Sequence, residues 1–288
     1  RALRAGGICF FRASLWKPRT RPGSFEGVGE LGLPWLVRVK EELGMQVATE
    51  IASPQHAEVA LKAGLDTFWI GARTTASPFA VSELAEALAG TDTRILVKNP
   101  LNPDIDLWEG ALLRLQQVGV KSIGAIHRGF STNAPGAYRN APLWQLPIEL
   151  QRRHPDLTIF VDPSHMAGRR ELVPLLCQVG LEMNFAGLMV ETHPTPSMAW
   201  SDAAQQLTLL DRLQLHPSTT SEEERLLPLR SQIDELDREL LTLLARRMAL
   251  SREIGQVKAA THLPIVQPER YRSLLDSRLA QGTALGLD

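Results

Sequence analysis

Arg94-Ile95-Leu96-Val97-Lys98-Asn99 is followed by an amphipathic stretch over 107–118 and then by Ser122-Ile123-Gly124-Ala125-Ile126-His127-Arg128-Gly129. Each apolar run is short, nearly unbroken and closed by a cation, which is the pattern of a strand buried on both faces. The same unit recurs over residues 1–214. Apolar runs at 7–11, 46–51, 67–70, 94–97, 122–126, 157–161 and 186–190 alternate with helical segments at 34–43, 56–63, 81–89, 107–118 and 170–179, with a last helix at 201–213. Such alternation predicts a parallel sheet covered by helices. Seven strands are one short of a (β/α)8 TIM barrel. Residues 2–5 ahead of Gly6-Gly7 read as a helix end closed by glycine, so a first strand is expected upstream of Arg1.

Composition narrows the class. Of 288 residues 44% are apolar, enough for a sizeable core, and no run reaches the roughly 18 apolar residues of a membrane span. Lys and Arg number 31 against 32 Asp and Glu, a net charge of -1, which argues against nucleic acid as the main partner. Cys9 and Cys177 both lie in apolar runs, which suits a reducing cytoplasm and excludes a disulfide framework.

After a polar linker at 215–225 the period changes. Leu226, Leu229, Ile233, Leu236, Leu240, Leu243, Leu250, Ile254 and Val257 are spaced by threes and fours, predicting one long helix with a coiled-coil-like seam. Pro264 and Pro268 break it, and a second helix is expected over 269–279. A narrow seam cannot bury itself, so an all-α unit at 226–288 needs a partner surface. Arg247 stands where the seam wants an apolar residue. Lys258 shares its face about 16 Å along, and Arg230 lies about 25 Å the other way, able to join the same ligand only from an antiparallel partner helix. A register-setting buried charge and a dianion held between helices of a dimer both fit this pattern.

The strand ends carry the chemistry. Arg12 follows the first run, with Lys17-Pro18-Arg19-Thr20 after it; Glu50 ends the second; Arg73, Lys98 and Arg128 follow the third, fourth and fifth; His165 follows the sixth; Glu191 and His193 follow the seventh. Barrel enzymes build their sites at this edge. Arg12, Lys17, Arg73, Lys98 and Arg128 converging on one mouth imply a ligand with several negative charges, such as a phosphorylated carboxylic acid. His165, Glu191 and Asp202 suit a divalent first-row metal, with His193 as a further ligand or base, although Ser201-Asp202 also reads as a helix N-cap.

In order along residues 1–214 these motifs, together with Gly71-Ala72-Arg73-Thr74-Thr75, Val161-Asp162-Pro163-Ser164-His165 and Gly187-Leu188-Met189-Val190-Glu191, resemble class I 3-deoxy-D-arabino-heptulosonate 7-phosphate (DAHP) synthase. The resemblance implies phosphoenolpyruvate and erythrose 4-phosphate as substrates, with Lys17, Lys98 and His165 as catalytic residues. It assigns the phosphoenolpyruvate phosphate to Arg73, Lys98 and Arg128, its carboxylate to Arg12 and Lys17, and the erythrose phosphate to Lys17, Arg19 and Thr20. It also implies a divalent ion (Mn, Fe, Co or Zn type) on His165, Glu191 and Asp202. The family's fourth ligand is a Cys in a Gly-Pro-Cys strand, and Cys9 is not that residue. The related octulosonate phosphate synthases share the barrel, and Lys-Pro-Arg-Thr favours the heptulosonate branch.

The tail, 226–288, is similar to the all-helical AroQ type of chorismate mutase through Leu229-Arg230, Leu236-Asp237, Leu243 to Arg247, Gly255, Lys258 and Pro264. The resemblance implies a homodimer binding chorismate or prephenate through Arg247, Lys258 and the partner's Arg230, and a sensing role toward the barrel. Tyr271 replaces a usual substrate-binding Glu, and the family's third helix is missing. A non-catalytic regulatory subunit sensing chorismate or prephenate is the competing reading.

Overall fold

The computed structural model describes residues 1–19, 23–132, 136–208, 220–261 and 263–287. Two compact units divide the chain, Arg1–Pro217 and Ser218–Asp288. The first holds seven strands: β1 (Phe10–Arg12), β2 (Gln46–Ile51), β3 (Thr67–Ile70), β4 (Arg94–Lys98), β5 (Ser122–His127), β6 (Thr158–Val161) and β7 (Gly187–Leu188). Every neighbouring pair is parallel and the order follows the chain, giving a curled sheet that forms part of a TIM barrel. Helices α2 (Leu33–Leu43), α3 (Pro54–Lys62), α5 (Pro78–Leu88), α6 (Ile105–Gln117), α7 (Gln145–Arg153) and α9 (Val173–Glu182) are the crossovers, while α1 (Ala2–Ala5) opens the chain. Short turns α4 (Ala72–Thr75) and α8 (Pro163–Ala167) stand directly at strand ends.

Alternation along each strand sorts the core into two layers. Phe68, Ile70, Ile95, Val97, Ala125, Ile159 and Val161 face outward into the helices. Ala48, Trp69, Leu96, Ile126 and Met189, with Phe10 and Phe160, pack together inside the sheet. The period of two then fixes the next inward level. Two residues beyond those inner side chains stand Arg12, Glu50, Gly71, Lys98, Arg128, Asp162 and Glu191, so the charged layer rests directly on the apolar plug.

Four of the described helices start on an oxygen cap, with Ser53, Ser77, Asp104 and Asp162 accepting from the backbone N–H groups of His56, Ala80, Leu107 and His165. At the opposite, N-terminal end of the strands lies an open groove that includes Lys40, Asp66 and Arg94, where Lys40 is tied to Asp66 at 2.7 Å. No helix among the described residues is long and apolar enough to cross a membrane.

Three expected elements are different in the structure. The first strand is Phe10–Arg12 rather than 7–11, because Gly7 takes a left-handed turn (φ 88°) and the N–H groups of Gly7 and Ile8 return to Arg4 and Leu3. Arg12 is therefore the last residue of the strand. The seventh pairs only over Gly187–Leu188, since β6 has already turned into α8 and the Glu191 N–H donates to Ser164 Oγ. The helix expected over 201–213 is not formed up to residue 208, and 209–213 lie outside the described residues. A 3-10 turn, Ala203–Gln205, is followed by an extended Leu207 bridged in parallel to Thr192.

In the second unit α10 runs Thr220–Thr261 with Pro228 inside it, and α11 runs Pro268–Ala284. Leu229, Ile233, Leu236, Leu240 and Leu243 are all more than half exposed within the chain. Arg230, Arg247 and Lys258 lie on α10, and the Lys258 ammonium caps the Ile265 carbonyl at 2.9 Å.

Candidate functional site

The inward charged layer and the loops above it line one cleft at the C-terminal ends of the strands. Arg12 reaches across the sheet gap to Glu191 (3.2 Å) and lies 5.4 Å above the Trp69 ring, a cation–π contact at the junction of plug and charged layer. Trp69 Nε1 donates to Glu50 (3.2 Å). A Cβ on Gly71 would fall 2.0 Å from Glu50 Oε1, so a larger residue there would displace the Glu50 carboxylate where the chain leaves β3 for the turn bearing Arg73. Arg73 lines the same cleft.

Lys98 and Asp162 form the buried centre, 2.7 Å apart, with side chains 7% and 0% exposed. Asp162 also takes His165 Nδ1 at 2.8 Å and caps α8 through the His165 N–H. Burial alone would raise its pKa, yet His165 and Lys98 outweigh that and hold it well below the usual carboxylate range. The His165 pKa is also lowered, chiefly by desolvation, so the ring is neutral near pH 7 with Nδ1–H on Asp162 and the Nε2 lone pair turned toward Glu191, 3.9 Å away.

Arg128 is almost wholly buried. Its backbone N–H donates to Asn99 Oδ1 (2.7 Å) and its guanidinium to Asn140 Oδ1 (2.8 Å). Burial lowers its pKa to about 10, which still leaves it charged at neutral pH. Lys17 donates to Ser201 Oγ (2.6 Å) and stands 3.7 Å from Asp202. Its pKa is lowered, first by burial, with Arg12 and Arg19 pushing the same way against Glu191 and Asp202. Arg19 donates to the Phe25 carbonyl (2.9 Å) and lies 3.5 Å from Asp202. Thr20 lies outside the described residues.

Asp202 has a left-handed backbone (φ 54°) and caps no helix with its side chain. Instead it collects Lys17, Arg19 and Arg139, the last at 3.1 Å. Burial would raise its pKa, but the Arg139 hydrogen bond and Lys17 drive it far below the ordinary value. Glu191 is shared among Arg12, Gln205 (2.7 Å) and Gln206 (3.4 Å). The expected ligand trio lines one cleft, with His165 facing Glu191 and Asp202 turned to three cations. Among the described residues no group of three or more His, Cys, Asp or Glu side chains is placed to hold a metal ion. His193 turns away to Thr195 (Nδ1 to the carbonyl, 2.7 Å) and does not line the cleft.

Sequence reading gave no role to Asp162, Arg139, Asn99, Asn140, Ser201 or Gln205. Asp162 carried a signal, since it stands two residues beyond an inward strand position. Arg139 and Asn140 sit in an irregular segment between β5 and α7, where no periodicity points to the cleft.

A parallel sheet in sequential order with its charged layer at the C-terminal ends defines an α/β-barrel protein with a cation-rich mouth. Residues 5–226 match the DAHP synthetase I family and residues 229–288 match chorismate mutase type II. The chain belongs to the DAHP synthetase I family, and a chorismate mutase type II domain follows it in the sequence. It is 32% identical over 205 residues to a phospho-2-dehydro-3-deoxyheptonate aldolase of Thermotoga maritima, covering 70% of this chain but only 57% of that protein. It is 30% identical over 220 residues to a 2-dehydro-3-deoxyphosphooctonate aldolase of Parasynechococcus marenigrum, covering 72% and 75%. A crystal structure of the Thermotoga maritima DAHP synthase superposes with a TM-score of 0.64 at 27% identity, covering 82% of this chain and 63% of that one.

Proposed function

We propose that the barrel unit condenses phosphoenolpyruvate with erythrose 4-phosphate, giving DAHP and inorganic phosphate. One observation carries this reading. Arg12, Lys17, Arg19, Arg73, Lys98, Arg128 and Arg139 line a cleft with three carboxylates, Glu50, Glu191 and Asp202, and Asp162 lies beneath Lys98. Seven cations face four carboxylates, an excess of three among the described residues, which matches a phosphorylated carboxylate of similar charge. Arg73, Lys98 and Arg128 take its phosphate, and Arg12 with Lys17 its carboxylate. Lys17, Arg19 and Thr20 hold the phosphate of the aldose.

With both substrates so held, carbon 3 of phosphoenolpyruvate attacks the aldehyde carbon. The enol π pair becomes the new C–C bond, and water adds at carbon 2. The C–O bond to phosphate then breaks with its electron pair on the leaving group. Fixed cations stabilise the negative charge on the aldehyde oxygen and on the departing phosphate without reorganising. His165, neutral and oriented by Asp162, has a lone pair on Nε2 to accept the proton of the incoming water. The family is often metal-dependent. His165, Glu191 and Asp202 share the cleft but form no group placed to hold an ion among the described residues, so no step is assigned to one.

For the second unit we propose rearrangement of chorismate to prephenate and sensing of that product, with Arg247 and Lys258 of one chain and Arg230 of a second chain binding the dicarboxylate. The two unpaired cysteines suit a cytoplasmic setting. The test is to incubate the full chain with phosphoenolpyruvate and either erythrose 4-phosphate or arabinose 5-phosphate, following enol absorbance, phosphate release and product mass. A heptulosonate product supports the reading. An octulosonate product would favour the second reading, which the 30% identity to the octonate aldolase motivates. Binding of phosphoenolpyruvate without turnover would make the barrel a regulatory subunit.

A further inference from the structure

Asn140 is 4% exposed and lies outside every strand and helix, yet each of its polar side-chain atoms is engaged. Oδ1 accepts from the Arg128 guanidinium at 2.8 Å and from Ser131 Oγ at 3.4 Å, and Nδ2 donates to the His165 carbonyl at 2.6 Å. A guanidinium only donates and a carbonyl only accepts, so the amide has one possible orientation. The backbone is fixed to the same two neighbours. Phe130 and Ala141 form an antiparallel bridge beyond β5, and the Asn140 N–H donates to the Met166 carbonyl of α8 (3.1 Å). Gly129 admits this close pass, having φ 77° and leaving Asn140 O at 2.7 Å from where a Cβ would stand.

We propose that Asn140 is a positioning residue which fixes the Arg128 guanidinium for phosphate and locks it to the α8 turn carrying His165. The inference rests on the phosphoenolpyruvate reading above. Arg128 has few other anchors: its Nη1 is 3.4 Å from the Gly129 carbonyl, a long contact, whereas the Asn140 amide is short and neutral. A neutral acceptor matters, because it orients the guanidinium and leaves the full positive charge for the ligand. A carboxylate at the same place would orient it equally well and consume that charge.

The test uses the full chain and two substitutions, Asn140→Ala and Asn140→Asp, with phosphoenolpyruvate varied. Asn140→Ala is expected to raise KM about tenfold and change kcat less than threefold. Asn140→Asp, nearly isosteric, is expected to raise KM further than Asn140→Ala while keeping a melting temperature closer to that of the parent. A merely structural residue would lower kcat with the folded fraction and leave KM unchanged, and that result, or a smaller KM effect in Asn140→Asp than in Asn140→Ala, overturns the proposal. Guanidinium NMR of 15N-arginine-labelled protein, with Arg128 assigned by its loss in Arg128→Lys, reads the same claim without turnover. The Arg128 Nη protons should be protected from exchange in the parent and lose protection in Asn140→Ala; unchanged protection overturns the proposal. If the parent neither consumes nor binds phosphoenolpyruvate, the functional reading fails, and the NMR result still decides the role of Asn140.

Discussion

Lys98 at the end of β4 and Asp162 beyond β6 are joined at 2.7 Å with almost no solvent contact, and the same carboxylate holds His165 at 2.8 Å. One buried carboxylate thus sets a lysine and a histidine in a fixed relation. Removing either partner of a buried pair strands the other charge, whereas removing both does not. Lys98→Met and Asp162→Leu should therefore each destabilise the barrel by about 3 kcal/mol, and the double substitution should cost clearly less than the sum of the two. Urea unfolding of the three variants checks this; strict additivity would show that the pair is not coupled. The pair also has a pH signature. Asp162 is held below its unfolded value, so its contribution is complete above about pH 4 and is lost as pH falls further through the folded pKa.

His127 gives a second source of acid sensitivity, of the same sign but setting in at higher pH. It is fully buried among Trp108, Phe130 and Trp144, and neither ring nitrogen has a hydrogen-bond partner among the described residues. Desolvation dominates and lowers its pKa to about 3, against an opposing pull from the Pro142 backbone. The unfolded chain then binds the extra proton between about pH 6.5 and 3, so stability is full above pH 6.5 and declines across that window. His127→Phe should be within about 1 kcal/mol of the parent at pH 7.5. It should lose less melting temperature than the parent between pH 7 and pH 4.5. Parallel losses in the two proteins would count against a buried neutral histidine.

How much of this was legible in the sequence follows from the strand period. Leu96 and Lys98, or Ile126 and Arg128, are two residues apart, so an apolar inner position predicts an inward charge at the strand end before any coordinates are known. The same parity singles out Asp162 through Phe160, although it names no partner for it. Residues 201–213 misled because the apolar pattern around Leu207 also suits a helix. Long-range bonds decide that segment: Gln205 and Gln206 reach Glu191, and the Leu207 N–H donates to the Glu191 carbonyl, which pulls the chain out straight. Asn140 and Arg139 were invisible for a related reason. Their placement depends on backbone bonds to Met166 and Ala167, far along the chain and without local signature.

The loop carrying Lys17 is held by contacts that can be removed one at a time. Trp16 stacks on His56 with ring centroids 4.3 Å apart, the Lys17 N–H donates to the Glu26 carbonyl (2.7 Å), and a Cβ on Gly27 would fall 2.0 Å from the Leu15 carbonyl oxygen. Gly27 also has φ 103°, which L side chains avoid. His56→Ala should cost about 1 kcal/mol through the lost stack and raise KM for both phosphorylated substrates, while His56→Phe keeps the stack and should stay within twofold of the parent. Gly27→Ala should be the more damaging change, since backbone rather than a flexible side chain must move. Steady-state kinetics with melting curves on the three variants tests the ranking, and a harmless Gly27→Ala would disprove the close approach.

The long helix α10 makes the last prediction. Leu236, Leu240 and Leu243 are 58%, 55% and 60% exposed in the single chain, and each would contribute about 1.5–3 kcal/mol if covered. A second copy of the chain laid against the seam would bury them and, on the proposed reading, would bring Arg230 of one helix toward Arg247 and Lys258 of the other. The parent should therefore sediment as two chains at micromolar concentration. Leu240→Glu together with Leu243→Glu should halve that mass, because a carboxylate carried into a covered apolar seam loses its hydration. Arg247→Ala should leave the mass at two chains and weaken prephenate binding by at least tenfold, the loss expected when one charged partner of a carboxylate is removed. Analytical ultracentrifugation and titration calorimetry separate these outcomes. A parent that sediments as one chain would disprove the self-association, and an Arg247→Ala protein that binds prephenate normally would remove Arg247 from the dicarboxylate site.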